Sequence, residues 1–448
     1  MKSLASVLKT ASLILITALT LMGCQKKQTP QTVSKSSDGP VEIEFWHAFS
    51  DAPRSDWIQE RADEWNAQHK DYKVVPARKG SYRETLQAAV LAARQGDAPH
   101  IVQLFEVGSQ LAKDSGIFEP VGNIGQFDTS DYIAPVLNYY TLDGTVNSIP
   151  FNSSSPILYY NKDMMKQAGL DPSNPPTTLE ELTAACEKAQ AAGIKNAKIT
   201  FALHSWYVEE WLAEQGAPLV NNDNGRKGRA TEVLLESKAV KKIFNWFKDT
   251  NDKGLYSYTG KLEDWNGSEA IFEEGKAMFF ITSTADVGNV ETNVSGKFEM
   301  GTGLYPIPSG TKRNGTVIGG ASVWITKGHS DEELEASRDF VLFMTNTDNM
   351  ISWHKLTGYY PVRTSSVNKL KEEGWFETEP LRTIAFKQLL ETIPNSYTAG
   401  ALMGSFMDTR TIVEEALQKV ISGKSVEESL KEAKVLADTK LKEYNDSL

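Results

Sequence analysis

From Val41 onward the chain alternates short apolar runs with amphipathic ones, and that rhythm restricts the fold more than any other feature. Residues 41–47 read as a strand, and 54–69 as a helix with Trp57, Ile58, Ala62 and Trp65 on one face. A second strand follows at 72–77, then a helix at 82–95 that stops before Gly96, then a strand at 100–105. This β-α-β-α-β order predicts a mostly parallel sheet covered by helices. Strands resume at 149–152 and 157–160, followed by a helix at 162–168 and another opened by the capping box Thr177-x-x-Glu180. Strands at 199–203 and 277–281 enclose helices at 208–214 and 238–249, and a last strand is expected at 317–326. Beyond it the chain is nearly all helix, at 332–346, 366–372, 380–391, 409–421 and 426–444. The expected class is α/β, with two sheets of similar size and a helical C-terminal region.

The first residues are written differently. Lys2 and Lys9 precede the apolar run 11–22, which ends in Leu21-Met22-Gly23-Cys24. Charge, apolar core and small residue, in that order, read as an export signal too short to stay as a membrane span. Leu-x-Gly-Cys after such a core resembles the bacterial lipobox, which implies cleavage after residue 23 and lipidation of Cys24; the alternative is an ordinary signal peptide with an incidental cysteine. Residues 24–40 are polar, carry prolines at 30 and 40 and lack aromatic residues, so they are expected to form a flexible tether. With Cys24 acylated, Cys186 is the remaining thiol, expected as a small buried side chain in the helix after residue 178.

Charge and motif content remove several functions. Lys+Arg 47 against Asp+Glu 58 gives a net charge of −11, which opposes a nucleic-acid surface. Two cysteines and six scattered histidines build neither a disulfide scaffold nor a Cys/His zinc module. The sequence holds no G-x-S-x-G elbow and no H-E-x-x-H helix. Gly310 and Gly315 have phosphate-loop spacing, but Thr316 stands where lysine is needed, so a surface turn is expected. Glu60/Glu64 and Glu414/Glu415 read as solvated helix decoration. No catalytic residue, metal ligand or cofactor is assigned. A secreted glycoside hydrolase stays open as a reading from another class, because it needs only two carboxylates distant in sequence. Trp206, in the polar setting His204-Ser205-Trp206 near a strand end, is placed for a ligand, whereas Trp46 suits either core or ligand.

A family resemblance then gathers these fragments. Ile43-Glu-Phe-Trp-His47, Pro150-Phe-Asn-Ser-Ser-Ser-Pro156, Leu158-Tyr-Tyr-Asn-Lys-Asp163 and Ala168-Gly-Leu-Asp171 resemble extracytoplasmic solute-binding proteins of ABC importers, carbohydrate-binding class. Thr177-Thr-Leu-Glu-Glu-Leu182, Ile318-Gly-Gly-Ala-Ser-Val-Trp324 and Thr357-Gly-Tyr-Tyr-Pro361 continue the match, which spans about residues 41–446. The likeness is greatest to the glycerol-3-phosphate-binding members. It implies a two-lobed type II periplasmic-binding-protein fold, with lobes of 41–151 plus 287–347 and 152–286 plus 348–448. It implies a monomer, tethered outside the cytoplasm by its lipid, that captures glycerol 3-phosphate or a glycerophosphodiester for permease subunits. A neutral sugar or glycosylated polyol is the alternative cargo.

The implied ligand residues are Tyr82, Glu106, Ser154, Gly320, Tyr359 and Arg410, with Thr282 where the family has serine. The family's tryptophan pair is not cleanly reproduced, Trp206 falling about one residue out of register. In that set Arg410 supplies a fork for phosphate, hydroxyls and the Gly320 N–H complete the shell, and Glu106 accepts from vicinal hydroxyls. Crossings between lobes are expected near 151–153, 283–288 and 345–350.

Overall fold

The computed structural model describes residues 39–448; the export signal, Cys24 and most of the tether lie outside the described residues. In chain order the strands are β1 (Val41–His47), β2 (Tyr72–Arg78), β3 (Ile101–Phe105), β4 (Phe118–Glu119), β5 (Thr141–Leu142) and β6 (Thr145–Val146). They continue with β7 (Ile149–Ser154), β8 (Pro156–Asn161), β9 (Ile199–Thr200), β10 (Phe279–Ser283), β11 (Met300–Gly303) and β12 (Gly319–Thr326). The larger sheet has six strands in the order β2-β1-β3-β12-β4 with β7 also on β12, the second has four in the order β11-β8-β10-β9, and β5 and β6 form a separate two-stranded ribbon. The expected parallel core is present as β1 against β2 and β3, while β12 returns antiparallel to β3.

Local chemistry sets the helix starts. Ser81 and Glu84 form a reciprocal capping box at the helix Tyr82–Gln95. The second box sits one residue later than expected: Thr178 caps the helix Leu179–Ala191 and Glu181 reaches back to it. The doubled Thr-Thr and Glu-Glu allow both registers, and the first is lost because Glu180 instead accepts from the N–H and hydroxyl of Ser309, at 2.8 and 2.6 Å. Cys186 is buried in this helix. The helix expected from residue 208 begins at Ser205, because His204 caps it through Nδ1, which accepts from the Trp206 N–H at 2.9 Å. A helix at Thr347–Thr357 was not expected, its apolar face being interrupted by Ser352 and His354.

Two apolar cores follow the two sheets. Phe45, Trp57, Trp65, Phe151 and Phe340 fill the first; Phe201, Trp211, Phe247, Leu417 and Leu430 fill the second, which the helices Phe406–Ile421 and Val426–Asp446 cover. The chain leaves the first sheet at Ser155, between β7 and β8, close to the expected 151–153. It returns only between β11 and β12, not at 283–288, because β11 pairs with β8 (Met300↔Asn161). Val287, Val290 and Val294 accordingly pack under the second sheet rather than the first. Met350, Trp353 and Tyr360 are buried in the first core, drawn there by the ring cluster around Trp57 and Phe151, so packing does not divide at 348. The helix Pro380–Leu390 touches both: Phe386 and Leu389 lie in the first core, Leu381 and Ile384 against the second sheet. Away from the hinge, Asp114 of the first lobe takes the two-pronged fork of Arg229, at 2.9 and 2.8 Å, and the hydroxyl of Tyr444, at 2.9 Å.

Candidate functional site

Between the sheets lies a cavity of about 550 Å³. All eight residues expected at a ligand site (Tyr82, Glu106, Ser154, Trp206, Thr282, Gly320, Tyr359 and Arg410) line it. They arrive from separate elements. Ser154 closes β7, Gly320 is the second residue of β12 and pairs with Ser153, and Thr282 lies near the end of β10. Gly320 has φ +101°, and a side chain there would collide with the Asn152 carbonyl, so glycine is what brings the strand backbone up to the cavity. Tyr82 stands on the first turn of its helix with its ring stacked on Phe105 at 5.7 Å. Gln103 donates to Asn152 and Asn152 to the Tyr82 oxygen, both at 2.8 Å, which fixes the Tyr82 phenol at the cavity wall. Tyr359 is stacked on Trp353 at 5.7 Å and 6°. Burial raises both phenols above their ordinary range, so they are neutral donors.

Arg410 pairs with neither Asp408 nor Glu414. Its Nε and Nη2 meet the two oxygens of Glu209 at 2.8 and 2.7 Å, and Nη2 also donates to Glu106 at 2.8 Å. Burial works against the charge of Arg410, but the two carboxylates outweigh it and hold the guanidinium cationic. Glu106 is raised by its own burial, with Arg410 opposing. Nη1 keeps its donors for the cavity; no hydrogen-bond partner is found for it among the described residues.

Glu414, expected on a solvated face, is 1% exposed. Its carboxylate accepts from the Ser205 N–H at 3.0 Å, and burial together with Glu263 pushes it up to about 8. His204, Glu263 and Glu414 bring ligand-type atoms within 4.8 Å of one another. His204 is not arranged as a metal ligand: its Nδ1 accepts from Trp206, so the neutral ring carries its proton on Nε2, beside Glu414 at 3.7 Å. Burial, with Arg410 and Arg83 nearby, keeps this imidazole neutral.

Sequence reasoning missed several lining residues. Trp265 faces Trp206 at 5.9 Å and supplies a second indole; its signal was an aromatic residue in the polar turn Asp264-Trp265-Asn266-Gly267. Asp286 receives the Thr282 hydroxyl at 2.8 Å, so that hydroxyl, expected to donate to the ligand, spends its proton on a carboxylate. Burial raises Asp286, with Thr282 and Arg54 opposing. Arg54 and Glu269 also line the cavity, and neither carried a sequence signal.

Two sheet-bearing lobes, with the chain crossing between them and a ligand-sized cavity at the crossing, define a type II periplasmic-binding-protein fold. The chain belongs to the bacterial extracellular solute-binding protein family, which matches residues 60–383. It is 33% identical over 405 residues to the sn-glycerol-3-phosphate-binding periplasmic protein UgpB of Yersinia pseudotuberculosis, covering 88% of this chain and 90% of that one. To UgpB of Salmonella typhimurium it is 34% identical over 394 residues, covering 85% and 88%. UgpB from Mycobacterium tuberculosis in complex with glycerophosphocholine superposes with TM-score 0.73 at 22% identity, over 91% of this chain and 100% of that one. The cyclic alpha-maltosyl-1,6-maltose binding protein of Arthrobacter globiformis superposes with TM-score 0.75 at 24% identity, over 90% and 100%.

Proposed function

We propose that the protein captures glycerol 3-phosphate or a related glycerophosphodiester outside the cytoplasm and passes it to permease subunits of an ABC importer. The observation that carries this reading is the convergence of all eight expected residues on one cavity. The Arg410 Nη1 edge, the Ser154 hydroxyl, the Gly320 N–H and the phenols of Tyr82 and Tyr359 are donors for a phosphoryl group. Glu106 accepts from the glycerol hydroxyls, and Trp206 and Trp265 offer faces to the carbon skeleton. The curated relatives named as glycerol-3-phosphate-binding proteins support the same cargo. In this reading the protein is a monomer that binds without turning its cargo over. Its lobes are about 41–154 with 319–390 and 156–303 with the C-terminal helices, hinged where the strands cross, and Cys24 carries the lipid that holds it to the membrane.

One observation favours a neutral sugar or glycosylated polyol as the second reading. Glu106, Glu263, Glu269 and Asp286 on the lining outnumber Arg54, Arg83 and Arg410. A thermal-shift panel of glycerol 3-phosphate, glycerophosphodiesters and neutral disaccharides separates the two, since a ligand at 100 times its dissociation constant adds about 2.7 kcal/mol. Stabilisation by disaccharides alone overturns the phosphate cargo, and release of reducing sugar from a glycan by pure protein overturns the receptor reading. Cys24→Ser should free the protein from membranes with ligand affinity unchanged; equal retention of the variant removes the anchor.

A further inference from the structure

The cavity's arginines are not equivalent. Arg410 is occupied by Glu209 and Glu106, so its end of the cavity is net negative before any ligand arrives. Arg83 is exposed at the rim. Arg54, third residue of the helix Ala52–Gln68, is about three-quarters buried. Asp51 caps that helix by accepting from the Arg54 backbone N–H at 3.1 Å, whereas its other oxygen stands 3.6 Å from the guanidinium, the one ion pair of that group among the described residues and not a hydrogen bond. Its guanidinium lies over the rings of Phe49 and Tyr359, at 5.6 and 5.4 Å from their centroids. Among the described residues no hydrogen bond is found from this guanidinium, so its N–H donors stay available beside the rings.

The same end of the cavity has lost a donor. Thr282 gives its proton to Asp286, so it turns lone pairs toward an incoming anion, and Asp286 adds negative charge beside it. A phosphoryl group bound by Tyr359, Ser154 and the Gly320 N–H therefore needs a cation on this side. We propose that Arg54 is that cation: a specificity-determining residue whose free N–H edge grips the anionic oxygens from the first lobe, while Arg410 holds the second lobe's carboxylates in place and offers one edge. This rests on the proposed phosphate cargo and assigns a group to it that the family resemblance did not.

The test is calorimetry of wild type, Arg54→Gln and Arg54→Lys with glycerol 3-phosphate and, separately, inorganic phosphate. Arg54→Gln should weaken both at least about tenfold, the loss expected for a hydrogen bond to a charged group. Arg54→Lys should recover part, and the salt dependence of binding should flatten in Arg54→Gln. A purely structural role would lower the unfolding midpoint of the ligand-free variants instead, and these should unfold as wild type does. Wild-type affinity for glycerol 3-phosphate in Arg54→Gln overturns the assignment and leaves the cargo standing. Inorganic phosphate bound by wild type and lost in Arg54→Gln, with glycerol 3-phosphate silent throughout, overturns the cargo and keeps the assignment. Silence of wild type toward both anions overturns both.

Discussion

Arg410 and Arg54 look into one cavity from opposite lobes, and their surroundings could hardly differ more. Arg410 is locked by three charge-assisted hydrogen bonds to two buried carboxylates. Arg54 rests on two aromatic rings with its N–H edges unspent. A buried cation already hydrogen-bonded to carboxylates organises its lobe, whereas a largely buried cation whose N–H donors are not so held is available to a ligand. An arginine in a pocket is therefore read by what it already holds.

The largest expected effect comes from breaking the locked side. Arg410→Leu strands Glu106 and Glu209 in a dry site and should cost about 3–5 kcal/mol of unfolding free energy in urea titrations, with ligand binding lost as well. Arg54→Gln should cost under about 1 kcal/mol on the same assay. Equal losses would erase the distinction between the two arginines.

Next is Asp286→Asn. It removes the carboxylate that takes the Thr282 proton and lets the hydroxyl turn toward the ligand. Affinity for an anionic ligand should rise severalfold, about 1 kcal/mol in calorimetry, and affinity for a neutral one should stay put. A fall in anion affinity would place Asp286 among the ligand's own contacts.

Acidity sharpens the comparison further. Burial, aided by Asp286, pushes Glu269 from an ordinary 4.5 up to about 8. The folded chain then binds more protons than the unfolded one between those values, so this group's contribution to stability is full below about 4.5 and lost as pH rises through 8. Glu269→Gln should flatten that decline in unfolding midpoint between pH 5 and 8, by its own share only, since Glu414 titrates in the same window. An unchanged slope would contradict the burial of Glu269.

The smallest effect belongs to one of the contacts that join the lobes away from the hinge. Arg229 is 41% exposed, so Asp114→Asn should change ligand affinity by less than about 1 kcal/mol. Small-angle scattering of the liganded variant should show a radius of gyration slightly above wild type, because a fork between lobes favours the closed arrangement. A smaller radius would assign Asp114 to the open form.

What the sequence disclosed divides along physical lines. Alternating periodicity exposed the two sheets, and order-dependent motifs brought Tyr82, Glu106, Ser154, Gly320, Tyr359 and Arg410 to one place. Partnership was illegible: nothing near residue 410 announces Glu209, some two hundred positions earlier, and nothing in Pro53-Arg54-Ser55 separates a ligand group from helix decoration. The lobe boundaries failed for a similar reason. The turn Thr284–Asp286 resembles an exit, yet β11 still has to pair with β8 before the chain leaves. Glu414 looked solvated because its burial comes from the helix Ser205–Glu214, whose Ser205 N–H it accepts.

Isothermal titration of the wild-type protein with glycerol 3-phosphate, glycerophosphocholine and maltose tests the central claim most directly. Saturable one-to-one binding of a glycerol phosphate compound, weakening as salt is raised, with maltose silent, is the expected result. Tight binding of maltose, insensitive to salt, with both phosphates silent would contradict it.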